Sequence, residues 1–133
     1  MKAFLFLLLA AAAGCVTSVE TVKPPAPPPP RQTIMDKRVV IDPVLDHVIH
    51  IVGIKSTTGP EGYLKIQLDI QNLTDAPRQF SYRFDWFDQD GLDLPMAASP
   101  PIPWMLLSHE TSFLAATAPT PAAKDFRVTF LPN

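Results

Sequence analysis

One cysteine, Cys15, occurs in the 133 residues, so no disulfide can form within the chain and its fold must hold by packing. Also missing is an apolar run of bilayer length. The longest, Ala3 to Ala13, is about half of the roughly 20 residues a membrane helix needs. There is no basic excess either, since 11 Lys and Arg stand against 13 Asp and Glu. Residues 39 to 133 hold six basic and eleven acidic side chains, which excludes the positive face that nucleic acid requires. Long helices are excluded as well, because Pro95, Pro100, Pro101, Pro103, Pro119 and Pro121 break the second half of the chain.

What is there begins with Lys2, a compact apolar stretch and the small residues Ala12-Ala13-Gly14 before Cys15. This is the order of a secretory signal: charge, h-region, cleavage site. A peptidase grips an extended backbone, and small side chains beside the cut leave it room. An ordinary signal needs no cysteine. The sharper expectation is therefore a lipobox with residues 1–14 removed and the Cys15 thiol carrying diacylglycerol, with acyl chains such as palmitate. The plainer alternative is a signal peptide with an incidental cysteine. Lipidation removes the oddity of a lone thiol in a secreted chain, and burial at about 0.8 kcal/mol per methylene makes each acyl chain worth on the order of 10 kcal/mol. Val16 follows the cysteine in place of the Asp that resembles an inner-membrane retention signal. In a Gram-negative cell this predicts the periplasmic face of the outer membrane.

Residues 15–38 read as a tether. Pro24 to Pro30, "PPAPPPP", lacks N–H groups and fixes φ, leaving polyproline II. At about 3.1 Å per residue, Val16 to Arg38 reaches roughly 70 Å when extended. It serves as a spacer; an SH3-type ligand makes no sense outside the cytoplasm.

Residues 39–133 form one domain whose period is two. Leu64, Ile66, Leu68 and Ile70 alternate with Lys65, Gln67, Asp69 and Gln71, one row inward and one outward. Phe80, Tyr82, Phe84 and Trp86 alternate with Gln79, Ser81, Arg83 and Asp85 in the same way. Between them Asn72 to Pro77, "NLTDAP", clusters turn formers, and Asn72 is placed to bond neighbouring backbone. The two strands are expected to form a hairpin. "DQDG", Asp88 to Gly91, predicts a second turn with Gly91 at positive φ. Further strands are expected through residues 39–57, near Trp104 to Leu107, through Thr111 to Thr117, and in a last segment with Phe126, Val128 and Phe130 inward. About seven short strands predict an all-β, antiparallel, immunoglobulin-like sandwich without its disulfide.

The residues Asn72, Pro77, Tyr82-Arg83-Phe84, Trp86, Asp88 and Gly91-Leu92 resemble the signature of the YcfL-like bacterial lipoproteins. The match is fairly specific over Asn72 to Leu92 and looser to the end of the chain, including Thr117 to Pro119. The resemblance implies a periplasmic lipoprotein with a β-sandwich domain and no assigned reaction. Members are often encoded beside an outer-membrane activator of peptidoglycan synthesis, which implies an envelope role by association. It implies no catalytic residues.

Side-chain chemistry points away from catalysis. His47, His50 and His109 lie in no nucleophile motif, and Cys15 is committed to lipid. Asp85, Asp88, Asp90 and Asp93 crowd a turn, where solvated acids are ordinary, and "DQDGLD" lacks the late bidentate Glu of a calcium loop. His47 and His50 would point to opposite faces of a strand. Met96, Met105, His109 and Glu110 could gather soft ligands for copper, but nothing in their spacing requires it. No cofactor is expected. The better candidate is a surface of Arg83, Asp85, Phe87 and Trp104, outward or supplementary to the main core, offered to an envelope protein partner. Against it stands a packing role in which Trp104 and Leu106 complete the sandwich and Phe87 covers a sheet end. These features together predict a lipid-anchored, non-enzymatic interaction domain accessory to cell-wall synthesis. The alternative is a peptidoglycan-binding module that uses exposed aromatics.

Overall fold

Strand alternation builds two sheets facing each other in the computed structural model, which describes residues 34–94 and 100–133. The expected lipidation at Cys15 and the proline tract lie outside the described residues. Seven strands follow in order: β1 (Val39–Ile41), β2 (Ile49–Thr58), β3 (Leu64–Asn72), β4 (Arg78–Phe87), β5 (Ile102–Leu106), β6 (Thr111–Thr117) and β7 (Asp125–Pro132). They form a four-stranded sheet, β1-β7-β4-β5, and a three-stranded sheet, β2-β3-β6. All pairings are antiparallel except β1 with β7, which is parallel through Val39–Val128, Val40–Thr129 and Ile41–Phe130.

The all-β sandwich expected from the period of two is what forms. When β2 to β7 are laid in order over immunoglobulin strands A, B, C, C′, E and F, the neighbours A-B-E and C′-C-F are reproduced. The edge place next to F, normally held by the last strand, is taken here by β1. No disulfide is needed, because the two inner faces supply Ile49, Ile51, Ile66, Leu68 and Ile70 from one sheet and Phe80, Leu106, Phe126, Val128 and Phe130 from the other. Each such side chain is worth roughly 1.5 to 3 kcal/mol when buried. The aromatics meet edge to face: Phe80 lies 5.8 Å from Phe130, while Phe84 stacks on Trp86 at 5.4 Å.

Three expectations are corrected. First, β3 and β4 do not form a hairpin; they belong to opposite sheets, and residues 73–77 arch from one layer to the other. Asn72 makes the arch. Its side-chain oxygen accepts from the Thr74 N–H (2.9 Å), and its amide donates to the Ala76 and Leu107 carbonyls (2.9 and 2.8 Å). A turn former bonded to a second loop is anchored across layers, whereas a hairpin turn would be closed by strand pairing alone. Second, Gln71 is buried rather than outward, flanked by His50 on β2 and Thr111 on β6 where the sheet end closes. Third, residues 34–38, read from composition as tether, are bonded to the sandwich. The Ile34 N–H donates to the Ile51 carbonyl (2.8 Å), and the Arg38 carbonyl accepts from the Val128 N–H (2.8 Å).

The second expected turn forms as its residues suggest. Asp88 accepts from the Asp90 and Leu92 N–H groups (2.8 and 3.0 Å), Gly91 takes φ 79°, and Asp93 bridges back to Phe87. Among the described residues no helix is long and apolar enough to cross a membrane.

Candidate functional site

Parity along β4 decides which side chains a partner can reach. Because Phe80, Tyr82, Phe84 and Trp86 turn inward, Gln79, Ser81, Arg83, Asp85 and Phe87 must line the outer face of the four-stranded sheet. β7 obeys the same rule: Phe126, Val128 and Phe130 are buried, so Arg127 and Thr129 face out beside Asp85 and Arg83. Three of the four residues expected at a partner surface, Arg83, Asp85 and Phe87, therefore share one face.

Their chemistry is joined by a fourth side chain. The Arg127 guanidinium donates twice to Asp85 Oδ2, from Nε and Nη2 at 3.1 Å each, and its Cζ lies 5.3 Å from the centre of the Phe87 ring. One cation thus bridges a carboxylate and an aromatic face. Arg127 stays 44% exposed, so the pair contributes little to stability, within about 1 kcal/mol. Its effect is to hold Asp85 and Phe87 in fixed positions. Arg83 is exposed two residues away on the same strand. Further across, Met105 pairs with Gln79 and stands 48% exposed, adding an apolar, adaptable side chain.

Trp104 is not brought to this face. It pairs with Phe80 and turns inward, meeting Phe80 at 5.7 Å and Tyr82 at 6.1 Å, both edge to face. Burial among these rings pushes the Tyr82 hydroxyl pKa upward, since the charged phenolate would be desolvated. The residues that reading single positions missed are Arg127 and Thr129; Met105, singled out in the sequence beside Trp104, does reach the outer face. The signal that could have found the first two was the inward parity of Phe126, Val128 and Phe130.

A second polar cluster lies at the opposite end of β4, where residues 73–77 meet residues 107–110. The His109 imidazole contacts Asp75, the His109 N–H donates to the Thr74 carbonyl (3.2 Å), and His109 itself takes φ 55°. Ser108 Oγ donates to the same Thr74 carbonyl (3.3 Å), not to the imidazole, so the hydroxyl is not coupled to a base. The cluster is a clamp between loops. Among the described residues no three of His, Cys, Asp or Glu gather closely enough to hold a metal ion.

A family model described as "Protein of unknown function (DUF1425)" matches residues 33–130. Two solved structures are similar in fold. The crystal structure of Campylobacter jejuni cj0090 matches with a TM-score of 0.64 at 18% identity, covering 74% of this chain and 100% of that one. A DUF1425 family member from Shewanella sp. pv-4 matches with a TM-score of 0.58 at 14% identity, covering 64% of this chain and 78% of that one. No curated protein matches the sequence.

Proposed function

Given that the chain belongs to the DUF1425 family of proteins of unknown function, we propose that it is a lipid-anchored envelope lipoprotein of YcfL-like type whose sandwich binds another protein. The observation that carries the binding reading is the convergence of Arg83, Asp85 and Phe87 on one outward sheet face, with Asp85 and Phe87 held by Arg127. Such a face offers a cation, a fixed carboxylate and an aromatic edge, which is the mixture typical of protein contacts. The anchoring half of the reading rests on the sequence order Ala12-Ala13-Gly14-Cys15 behind an apolar segment. Absence of Asp after Cys15 favours the outer membrane's periplasmic leaflet, near the machinery of wall synthesis.

A protein partner is preferred to peptidoglycan for a physical reason. Sugar binding needs an aromatic ring lying open, whereas Trp104 packs against Phe80 and Tyr82, and Phe87 lies under a guanidinium. We read the domain as non-enzymatic, a reading supported by the Ser108 hydroxyl being turned to a backbone carbonyl rather than to His109.

Three experiments test this. Cys15→Ala should move the protein from the membrane to the soluble periplasmic fraction; unchanged membrane retention would remove the lipid. Photocrosslinkers at Arg83 and Phe87 should capture one envelope protein in living cells, while a crosslinker at the buried Val128 captures none. Sedimentation of the wild type with purified sacculi would instead favour the sugar.

A further inference from the structure

A sheet edge offers unpaired N–H and C=O groups to any passing strand, and folded proteins blunt their edges with short strands, charges, prolines or bulges. Three of the four edges here are blunted. β1 has three residues and follows Lys37 and Arg38. β5 contains Pro103 and follows Pro100 and Pro101. β2 carries a register shift between Ile51 and Gly53, bears Lys55, and is met by Ile34. The fourth edge, β6, has none of these within its own length; Glu110 lies just before it and Pro119 two residues after. Its seven residues, Thr111 to Thr117, hold no charge and no proline, and they pair with β3 without interruption.

The bonding parity of that edge is fixed. At one end the Ala118 N–H donates to the Leu64 carbonyl (2.8 Å), and at the other the Asn72 N–H donates to the Glu110 carbonyl (2.9 Å). Even-numbered residues of β6 therefore bond β3, and the alternation of an antiparallel ladder turns the N–H and C=O of Thr111, Phe113, Ala115 and Thr117 outward. Among the described residues nothing bonds to these groups. Phe113, on the solvent face of the same strand, is 63% exposed.

We propose that the outer edge of β6 docks a second copy of this chain, antiparallel and two-fold symmetric about Leu114, joining two three-stranded sheets into one of six. The strand is complementary to itself in that register. Phe113 faces the partner's Ala115, large beside small, and Thr111 faces the partner's Thr117. All four outward residues of each copy are used, and no charge faces a like charge: Glu110 meets the partner's Ala118. The chain's own proline tract, Pro24 to Pro30, lacks the N–H groups to fill the edge. The pairing leaves the Arg83, Asp85 and Phe87 face open on both copies, because that face belongs to the other sheet. An edge contact of this length is small for a specific interface, so the dimer is weak and concentration-dependent.

The test uses the full chain in detergent with Cys15→Ser, so that introduced thiols stand alone. In a hydrogen-bonded antiparallel pair the Cα atoms are about 5.5 Å apart, within reach of a disulfide, while diagonal neighbours lie at about 7 Å or more. An oxidised mixture of Phe113→Cys and Ala115→Cys should give a mixed dimer that neither variant gives alone. No mixed dimer, or equal crosslinking in the single variants, overturns the proposal. Sedimentation provides a second readout with a fold control. Ala115→Pro removes only an outward N–H and should weaken self-association at least tenfold with an unchanged circular dichroism spectrum. Ser112→Pro removes an N–H bonded to β3 and should unfold the sheet. A wild type that is monomeric at every concentration overturns the proposal and leaves the edge to a foreign strand.

Discussion

Asn72 and Gln71 are adjacent, both buried, and opposite in their bonding. The Asn72 side chain bonds Thr74, Ala76 and Leu107, tying the arch between sheets to the loop before β6, and none of its polar groups is wasted. Gln71 buries its Oε1 with no partner among the described residues. A buried polar atom without a bond costs about 1 to 3 kcal/mol, whereas removing the partner of several such atoms exposes the whole set to that cost. Asn72→Ala should therefore lower unfolding free energy by about 2 to 4 kcal/mol in urea titration. Gln71→Met should leave it unchanged or raise it by up to about 1 kcal/mol. The role of Asn72 at a turn was legible, because Asn before Thr, Asp and Pro closes backbone locally. Its bond to Leu107 was not legible, since nothing local specifies a carbonyl 35 residues away.

At the scale of strands, the sequence resolves faces but not neighbours. Period-two alternation in Leu64 to Ile70, Phe80 to Trp86 and Phe126 to Phe130 tells which side chains turn inward, and those rows are the ones that pack. Pairing is decided elsewhere. "NLTDAP" suits an arch between layers as well as a hairpin, and three residues of β1 carry no sign that they run parallel to β7. The candidate surface divides along the same line: Arg83, Asp85 and Phe87 follow from parity on one strand, while Arg127 enters only through the β4 to β7 register. Register also explains Gly53. It lies opposite Asp69, and a Cβ there would stand 2.5 Å from Asp69 Oδ2. To make room, the Asp69 carboxylate would have to turn, disturbing the ion pair of Oδ2 with Lys55 (4.0 Å) and straining the hydrogen bond that Oδ1 accepts from Gln67 Nε2 (2.9 Å). Gly53→Ala should cost about 1 to 2 kcal/mol. Measured in an Asp69→Ala background, that cost should fall by at least half, and a cycle with no coupling would refute the contact.

Across the whole molecule, two sheets with no disulfide need something besides apolar contact to fix their relative position, and the segment before β2 supplies it. Ile34 bonds Ile51 in the three-stranded sheet, and five residues later β1 joins β7 in the four-stranded one. The turn between them is held by Asp36, whose carboxylate accepts from the Arg38 guanidinium (Nη2 to Oδ2, 2.7 Å; Nε to Oδ1, 3.0 Å) and from the Arg38 N–H (2.9 Å). Arg38 in turn sits with Cζ 4.9 Å from the centre of the Phe126 ring. These bonds, the guanidinium's first and the backbone N–H second, hold the Asp36 pKa at about 2 against an ordinary 3.8. A carboxylate whose pKa is depressed on folding adds stability above its unfolded value and loses it as pH falls toward the folded one. Water reaches the pair, which screens the gain to about 1 kcal/mol. Thermal melts of wild type and Asp36→Asn should therefore differ by a constant few degrees from pH 7 down to about 4 and converge between about 4 and 2. A difference that persisted undiminished at pH 2 would mean that Asp36 acts through shape rather than charge.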